Sequence, residues 1–274
     1  MAGALEADLI HRLLSDDSRQ LLERLEVLDE VASTNTWLLE RARRKAGRFE
    51  VVLAEHQTAG RGRYSRIWHS PPLTGLTFSM GYTFQRSPQN LSGLTLVIGV
   101  AVANALKHLG ANGHGLKWPN DIMAGGKKLG GILTDAMTGA GTSITMVCGV
   151  GMNIDLGAAG NDDPITELPK PITDLRSCMD EPPSRNIVAA ALIDEMRRAV
   201  IGFEAEGIEP FLSAWNDYDW LRGRHVVVEM PDSVIDGTAD GIDGTGALRV
   251  LTEHGRRRVF TGTVRLSDEG PGAT

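Results

Sequence analysis

From His56 through Asn120 the chain contains no aspartate or glutamate, although the 274-residue protein carries a net charge of −7. A stretch so stripped of carboxylates in an acidic protein suggests a site kept electropositive for an anion. The overall acidity argues against a protein that binds nucleic acid over its whole surface. Cysteine is nearly absent: Cys148 and Cys178 are the only two. That suits a reducing compartment, and no Cys and His spacing of a metal site occurs. Cys148 lies in an apolar run and reads as core. Long hydrophobic runs are missing as well. The most apolar stretch, Leu94–Leu106, is too short to span a bilayer and is interrupted by Gly99 and Asn104. Glu6 and Asp8 stand where a signal peptide would carry a basic start and an apolar run. The expected location is the cytoplasm, with no membrane partner. Hydrophobic content of 42% and charged content of 23% leave enough for one large domain plus a small one.

What is present concentrates in Ala54–Pro71, where Gly60 and Gly62 alternate with Arg61 and Arg63, and Arg66 follows. Glycine lets the backbone approach a ligand, and guanidinium groups supply forked donors for carboxylate and phosphate oxygens. A solvated basic loop or a nonspecific nucleic-acid contact stands beside this reading.

The periodicity predicts a short helix over Leu5–Leu14 and a brief strand at Leu25–Leu28. Ser33 or Thr34 is placed to cap a helix carrying Trp37, Leu38 and Leu39. Phe49–Ala54 reads as a strand, and Leu76, Phe78, Met80 and Tyr82 alternate as in a half-buried one. A helix starting at Asn90 or Ser92 and stopping at Gly110 is apolar on nearly every face and belongs against a sheet. Gly115–Trp118, Ile122–Met123, Lys128–Thr134 and Ser143–Val150 read as short strands joined by tight turns, such as Gly125-Gly126. The sheet is therefore expected to be mainly antiparallel or mixed. Gly149-Val150-Gly151 lacks the rest of a dinucleotide fingerprint. Gly157–Pro183 reads as a loop with a short helix at Asp174–Cys178, followed by a helix from Asn186 and another after Pro210. After Trp220 closely spaced strands suggest a compact barrel, with a boundary near Leu221 and a frayed end at Gly270–Thr274.

Lys117 precedes Trp118-Pro119-Asn120-Asp121, and Lys128 sits on the returning strand of the same hairpin. Asp121 is suited to holding a divalent cation or orienting a lysine. A solvated turn at Lys127 and Lys128 is the plainer alternative.

Taken together, these strings resemble the biotin protein ligases. The resemblance rests on Ser33-Thr34-Asn35, Gln57 with Ala59–Arg63 and Trp68, Lys117–Asp121, Lys128–Leu133 and Gly149–Ile154, in that order. It covers roughly residues 25 to 265. It implies a ligase that forms biotinyl-5'-AMP from biotin and ATP, with Mg²⁺, and transfers biotin to a lysine of a biotin carboxyl carrier protein. By position it implies that Ser33, Thr34, Asn35 and Gln57 hold biotin's polar ring. Arg61–Arg63 would line biotin and the adenylate, with Gly60, Gly62 and Arg66 completing the loop. Lys128 would meet the biotin carboxylate or acyl-phosphate, and Lys117 the phosphates. Asn120, Gly130 and Gly131 join the binding set, Asn153 lies near the adenine, and Trp68 packs on the adenine side when the loop closes or, equally, belongs to the core. Arg63, Lys117, Lys128 and Asp121 form the expected catalytic group, with Asp121 as the candidate metal ligand.

The family often reads G-R-G-R-R-G-R, whereas Tyr64 and Ser65 follow Arg63 here. The loop from Gly60 to Trp68 is expected to move as a lid, although an aromatic at 64 would also be able to pack down and order it early. The expected architecture is α+β: a mixed sheet with helices like that of class II tRNA synthetases over residues 1–220, plus an SH3-like barrel over 221–274. Relatives with a repressor winged helix carry it before the catalytic region. This chain begins too close to that region for one, so no specific DNA binding is expected. The expected state is a monomer or weak homodimer. A lipoate ligase of the same superfamily, and a noncatalytic nucleic-acid binder, are the competing readings.

Overall fold

The computed structural model describes residues 3–69, 71–85, 91–138, 143–158 and 171–267. Asn90 and Gly270–Thr274 lie outside them, as does residue range 159–170 of the expected loop after Gly157. The chain opens with two short helices, α1 (Ala7–Leu13) and α2 (Asp16–Leu21), where periodicity predicts one. Ser15 separates them: its hydroxyl caps α2, and its amide and hydroxyl bind Asp194 at 3.0 and 2.9 Å. Strand β1 (Leu22–Val31) is much longer than Leu25–Leu28. It runs into α3 (Thr34–Arg41), whose N-terminus is capped by Ser33. Strand β2 (Phe49–Gln57) returns parallel to β1.

All further pairings in this sheet are antiparallel. Strand β3 (Gly75–Thr83) lies beside β2, and α4 (Leu94–His108) then carries the chain to the far edge. There β4 (His114–Lys117), β5 (Asp121–Ala124), β6 (Lys127–Thr138) and β7 (Ile144–Asn153) fold back as a meander, giving the order β1-β2-β3-β7-β6-β5-β4. The mixed sheet is as the short strands foretold. Strand β3 departs from expectation: it is buried almost throughout, because α3 covers one face while α5 (Arg185–Glu206) packs from the other. Its polar positions Thr77 and Ser79 are therefore interior. Helix α4 starts at Leu94 after Gly93, whose φ of 87° suits glycine, and ends before Leu109. The expected short helix at Asp174–Cys178 is a 3₁₀ turn, Arg176–Cys178. Burial raises the Cys148 thiol to about 12, in keeping with a core residue.

Helix α6 (Leu212–Tyr218) leads to a second sheet of five antiparallel strands. These are β8 (His225–Met230), β9 (Ser233–Ile242), β10 (Leu248–Thr252), β11 (Gly255–Val259) and β12 (Thr263–Leu266), ordered β11-β10-β9-β8-β12. The two sheets are joined at the turn before β5. There the Trp118 indole N–H donates to the Gly246 carbonyl at 3.0 Å, and the Trp220 amide donates to Leu116 at 2.9 Å.

One buried ion pair ties α5 to the strands that carry the arginine loop. The Arg185 side chain is fully buried and binds both Glu55 oxygens at 2.9 and 2.7 Å, plus the carbonyls of Gly3 and Gly75. Removing one partner of such a pair strands the other. Arg185→Ala is expected to cost about 3–5 kcal/mol in urea unfolding. A loss below about 1 kcal/mol, the range of exposed pairs, would show that the pair is solvent-screened.

Candidate functional site

Residues paired across a sheet share a face, so register alone determines what meets over the central strands. One row reads Lys117, Asp121, Gly131, Gly151 and Thr77 across β4, β5, β6, β7 and β3. A neighbouring row reads Leu133, Gly149, Ser79 and Val52. The two glycines of β7 leave space where side chains would collide. A Cβ on Gly151 would lie 2.3 Å from the Trp68 indole, and one on Gly149 would lie 2.2 Å from Asn35 Oδ1. Glycine in a strand interior here marks the close approach of another group.

Lys128 reaches this face through a bulge. Alternation would put residues 128 and 131 on opposite faces, but the register shifts so that Ile122 pairs with Gly130 and Met123 with Lys128. The Lys128 backbone is also held outside the sheet, by Pro171 and Thr173 at 2.9 Å each. Its ammonium lies 2.6 Å from Asp121 and 5.8 Å from the Trp68 ring centroid. A positive charge over an indole face at that distance is favourable.

At the other end, α3 presents its first turn. Gln57 Oε1 accepts from the Thr34 amide at 2.8 Å and from its hydroxyl at 3.1 Å. Ser79 Oγ lies 2.7 Å from Thr34 Oγ1 and 2.5 Å from Asn35 Oδ1. The Asn35 amide donates to Asp135 at 2.9 Å, and Asp135 is 3.6 Å from Arg61. This chain of contacts fixes which way each amide and hydroxyl points.

The arginine loop closes the space between. The Trp68 amide donates to Gly60 O at 2.9 Å and the Gly62 amide to Arg66 O at 2.8 Å, which folds the loop back on itself. The cavity is about 250 Å³. Its cations are Arg61, Arg63, Arg66, Lys117 and Lys128, and Asp121 is the one carboxylate among its described lining residues. Such a balance draws an anion in and leaves one group able to orient or deprotonate an amine.

The structure thus brings together Ser33, Thr34, Asn35, Gln57, Arg61, Gly62, Arg63, Arg66, Trp68, Lys117, Asn120, Asp121, Lys128, Gly131 and Asn153. Gly60 and Gly130 do not line the cavity. The first forms the base of the loop, and the second is packed against the Gly151 carbonyl. Asn120 ties its hairpin to Ile132 by two 2.9 Å bonds, and Asn153 holds the segment at Thr173 and Leu175. Trp68 is half-buried on the cavity floor rather than in the core.

Sequence reasoning missed Ser79, Asp135 and Gly262–Val264 at the start of β12 in the second sheet, which supply a cavity wall. Alternation in β6 puts Asp135 on the face of Gly131 and Leu133, a signal that becomes legible only with the register. Among the described residues, no three His, Cys, Asp or Glu side chains gather into a metal site.

Two family models match the chain: the Biotin/lipoate A/B protein ligase family over residues 27–153, and the Biotin protein ligase C terminal domain over residues 222–267. The bifunctional ligase/repressor BirA of Salmonella typhimurium is 36% identical over 245 residues, covering 89% of this chain and 72% of that protein. The biotin–[acetyl-CoA-carboxylase] ligase of Mycobacterium tuberculosis is 35% identical over 238 residues, covering 82% of each. Among solved structures, the biotin protein ligase from Aquifex aeolicus in complex with biotin and ATP superposes with a TM-score of 0.76 at 26% identity, covering 89% of this chain and 100% of that one.

Because the Trp68 ring rests on Gly151, Gly151→Ala is expected to lift the ring and open the loop. Hydrogen exchange at the Trp68 amide, bonded to Gly60, should accelerate about tenfold, the equivalent of ~1.4 kcal/mol in local opening, with the far-ultraviolet spectrum unchanged. Unchanged exchange would mean that the ring does not seat the loop.

Proposed function

The chain belongs to the biotin protein ligase family, and from that premise we propose how its own residues carry out the reaction: ATP-dependent formation of biotinyl-5'-AMP, then transfer of the biotinyl group to a carrier-protein lysine. The observation that carries the assignment is one cavity lined both by five cations and by the Ser33, Thr34, Asn35 and Gln57 set. The polar set suits a ureido ring, which both donates and accepts hydrogen bonds. In the first step a carboxylate oxygen of biotin attacks the α-phosphorus of ATP, and the bond to the pyrophosphate oxygen breaks. Two anions must approach one another, so positive charge has to be in place beforehand. Lys128 projects from the same sheet face as the Lys117–Thr77 row, beside Asp121, and meets the biotin carboxylate. Lys117, at the far end of that row, meets the phosphates, with Arg61, Arg63 and Arg66 above. Trp68 offers the adenine side an indole face, and Asn153 lies beside it.

In the second step a neutral lysine amine attacks the acyl carbon and AMP leaves with the bonding electrons. Asp121 is placed to receive or orient the amine's proton, being the carboxylate already in contact with an ammonium group. The same contact bears on Mg²⁺. One carboxylate, bound by Lys128, does not make a resident metal site, and the donor set fits an ion carried in on nucleotide phosphates with Asp121 at its margin. When bound, that ion neutralises phosphate charge.

The partner is the biotin carboxyl carrier protein of a carboxylase. In this reading residues 1–220 are the catalytic domain, and residues 221–274 form an SH3-like barrel closed from the five-stranded sheet. No described helix is long and apolar enough to cross a membrane. The protein acts in the cytoplasm as a monomer or weak homodimer, without sequence-specific DNA binding.

The test is exchange of labelled pyrophosphate into ATP. Exchange should require biotin together with ATP and Mg²⁺. Lipoate, whose dithiolane cannot satisfy the buried polar set, should support it at least about 10²-fold less well. Equal or faster exchange with lipoate would overturn the choice of biotin.

A further inference from the structure

Tyr64 and Ser65 both hold left-handed backbone angles, with φ of 55° and 60°. Two successive non-glycine residues in that region need contacts that hold them there. Tyr64 has such contacts, and they come from the second sheet. Its hydroxyl lies 2.9 Å from Thr261 Oγ1. Arg63 Nη2 donates to the Tyr64 hydroxyl at 3.2 Å and reaches Thr261 Oγ1 at 3.4 Å, and its guanidinium carbon is 4.9 Å from the Tyr64 ring centroid. Arg66 Nη2 lies 3.5 Å from Thr263 Oγ1. Thr261 and Thr263 flank Gly262 where β12 begins, and Gly262 and Thr263 wall the cavity. A loop that starts from β2 of the first sheet is thus fastened, over the cavity, to the start of β12 in the second.

We propose that Tyr64 is a positioning residue that latches the arginine loop to Thr261 before any ligand arrives and holds Arg63 over the cavity, so that the acyl-adenylate is retained until the acceptor amine attacks. What is retained rests on the ligase reading; the latch itself does not. Tyr64 is 53% exposed, so the latch sets how long the loop stays shut rather than whether the protein folds. It also gives the hydroxyl, and not only the ring, a defined part.

The experiment compares Tyr64→Phe, Thr261→Val and the double variant in two assays. In ligand-free protein, trypsin cleavage after Arg61, Arg63 and Arg66 should be about three- to tenfold faster for each single variant, the scale of one lost hydrogen bond. Dissociation of labelled biotinyl-adenylate formed on the enzyme should accelerate by a similar factor. The double variant should fall short of the product of the two singles, because both substitutions remove the shared Tyr64–Thr261 contact and differ only in which Arg63 contact they also lose. Wild-type cleavage rates in the single variants, or effects that multiply in the double, would overturn the latch. Faster cleavage with wild-type adenylate release would overturn its part in retention. Failure of the wild-type protein itself to form adenylate would instead overturn the ligase reading.

Discussion

The register of the seven-stranded sheet is the constraint on which the site depends. Lys117, Asp121, Gly131, Gly151 and Thr77 share one face because their strands are paired at those positions. A slip of one residue between β6 and β7 would turn Gly131 away from Gly151 and remove the floor on which Trp68 rests. The interruption between β5 and β6, the bulge near Leu129, is equally specific. It brings Lys128 onto the same face and against Asp121. Backbone hydrogen bonds deep in the sheet therefore determine the position of an ammonium group at its surface. The helices on the opposite face matter to the site mainly by holding that register rigid.

Charge is the second constraint. Two like charges ~6 Å apart repel by about 3 kcal/mol at an effective dielectric of ~20, and five cations line this cavity. The structure distributes the repulsion. Asp121 takes Lys128, Asp135 takes Arg61, and the Tyr64 ring and hydroxyl take Arg63. Each of these partners is weaker than a phosphate or carboxylate ligand that fits all the cations together. These contacts hold the cations in place, and an anion that meets several of them at once is favoured over each. The missing acidic residues between His56 and Asn120 contribute to this: the two carboxylates that do face the cations come from β5 and β6.

Much of this was legible in the chain. The alternation of β3, the Gly125-Gly126 turn, the Ser33 cap and the apolar α4 follow from local chemistry, and they led to the mixed sheet. Local strings also located Lys117, Lys128 and the Gly/Arg loop. The remainder depended on pairing between distant strands. Ser79 and Asp135 are ordinary strand residues until register places them beside Asn35. Gly149 and Gly151 resembled a fragment of a nucleotide fingerprint, whereas their purpose is to admit Asn35 and Trp68. Thr261 lies 197 residues from Tyr64, and no local pattern announces that contact. The half-buried reading of β3 failed for a similar reason, since α3 covers the face its polar residues occupy.

The central claim is that the cations on this sheet face serve formation of the acyl-adenylate rather than the fold or the transfer step. Lys128→Ala tests it most directly when assayed twice: for biotin-dependent pyrophosphate exchange, and for transfer to carrier protein from supplied biotinyl-5'-AMP. Losing one preorganised charge at a reacting phosphoryl group should lower exchange by about 10²-fold or more, while transfer from the supplied adenylate stays within about threefold of wild type (under ~0.7 kcal/mol). Equal loss in the two assays, or exchange that survives the substitution, would contradict the account.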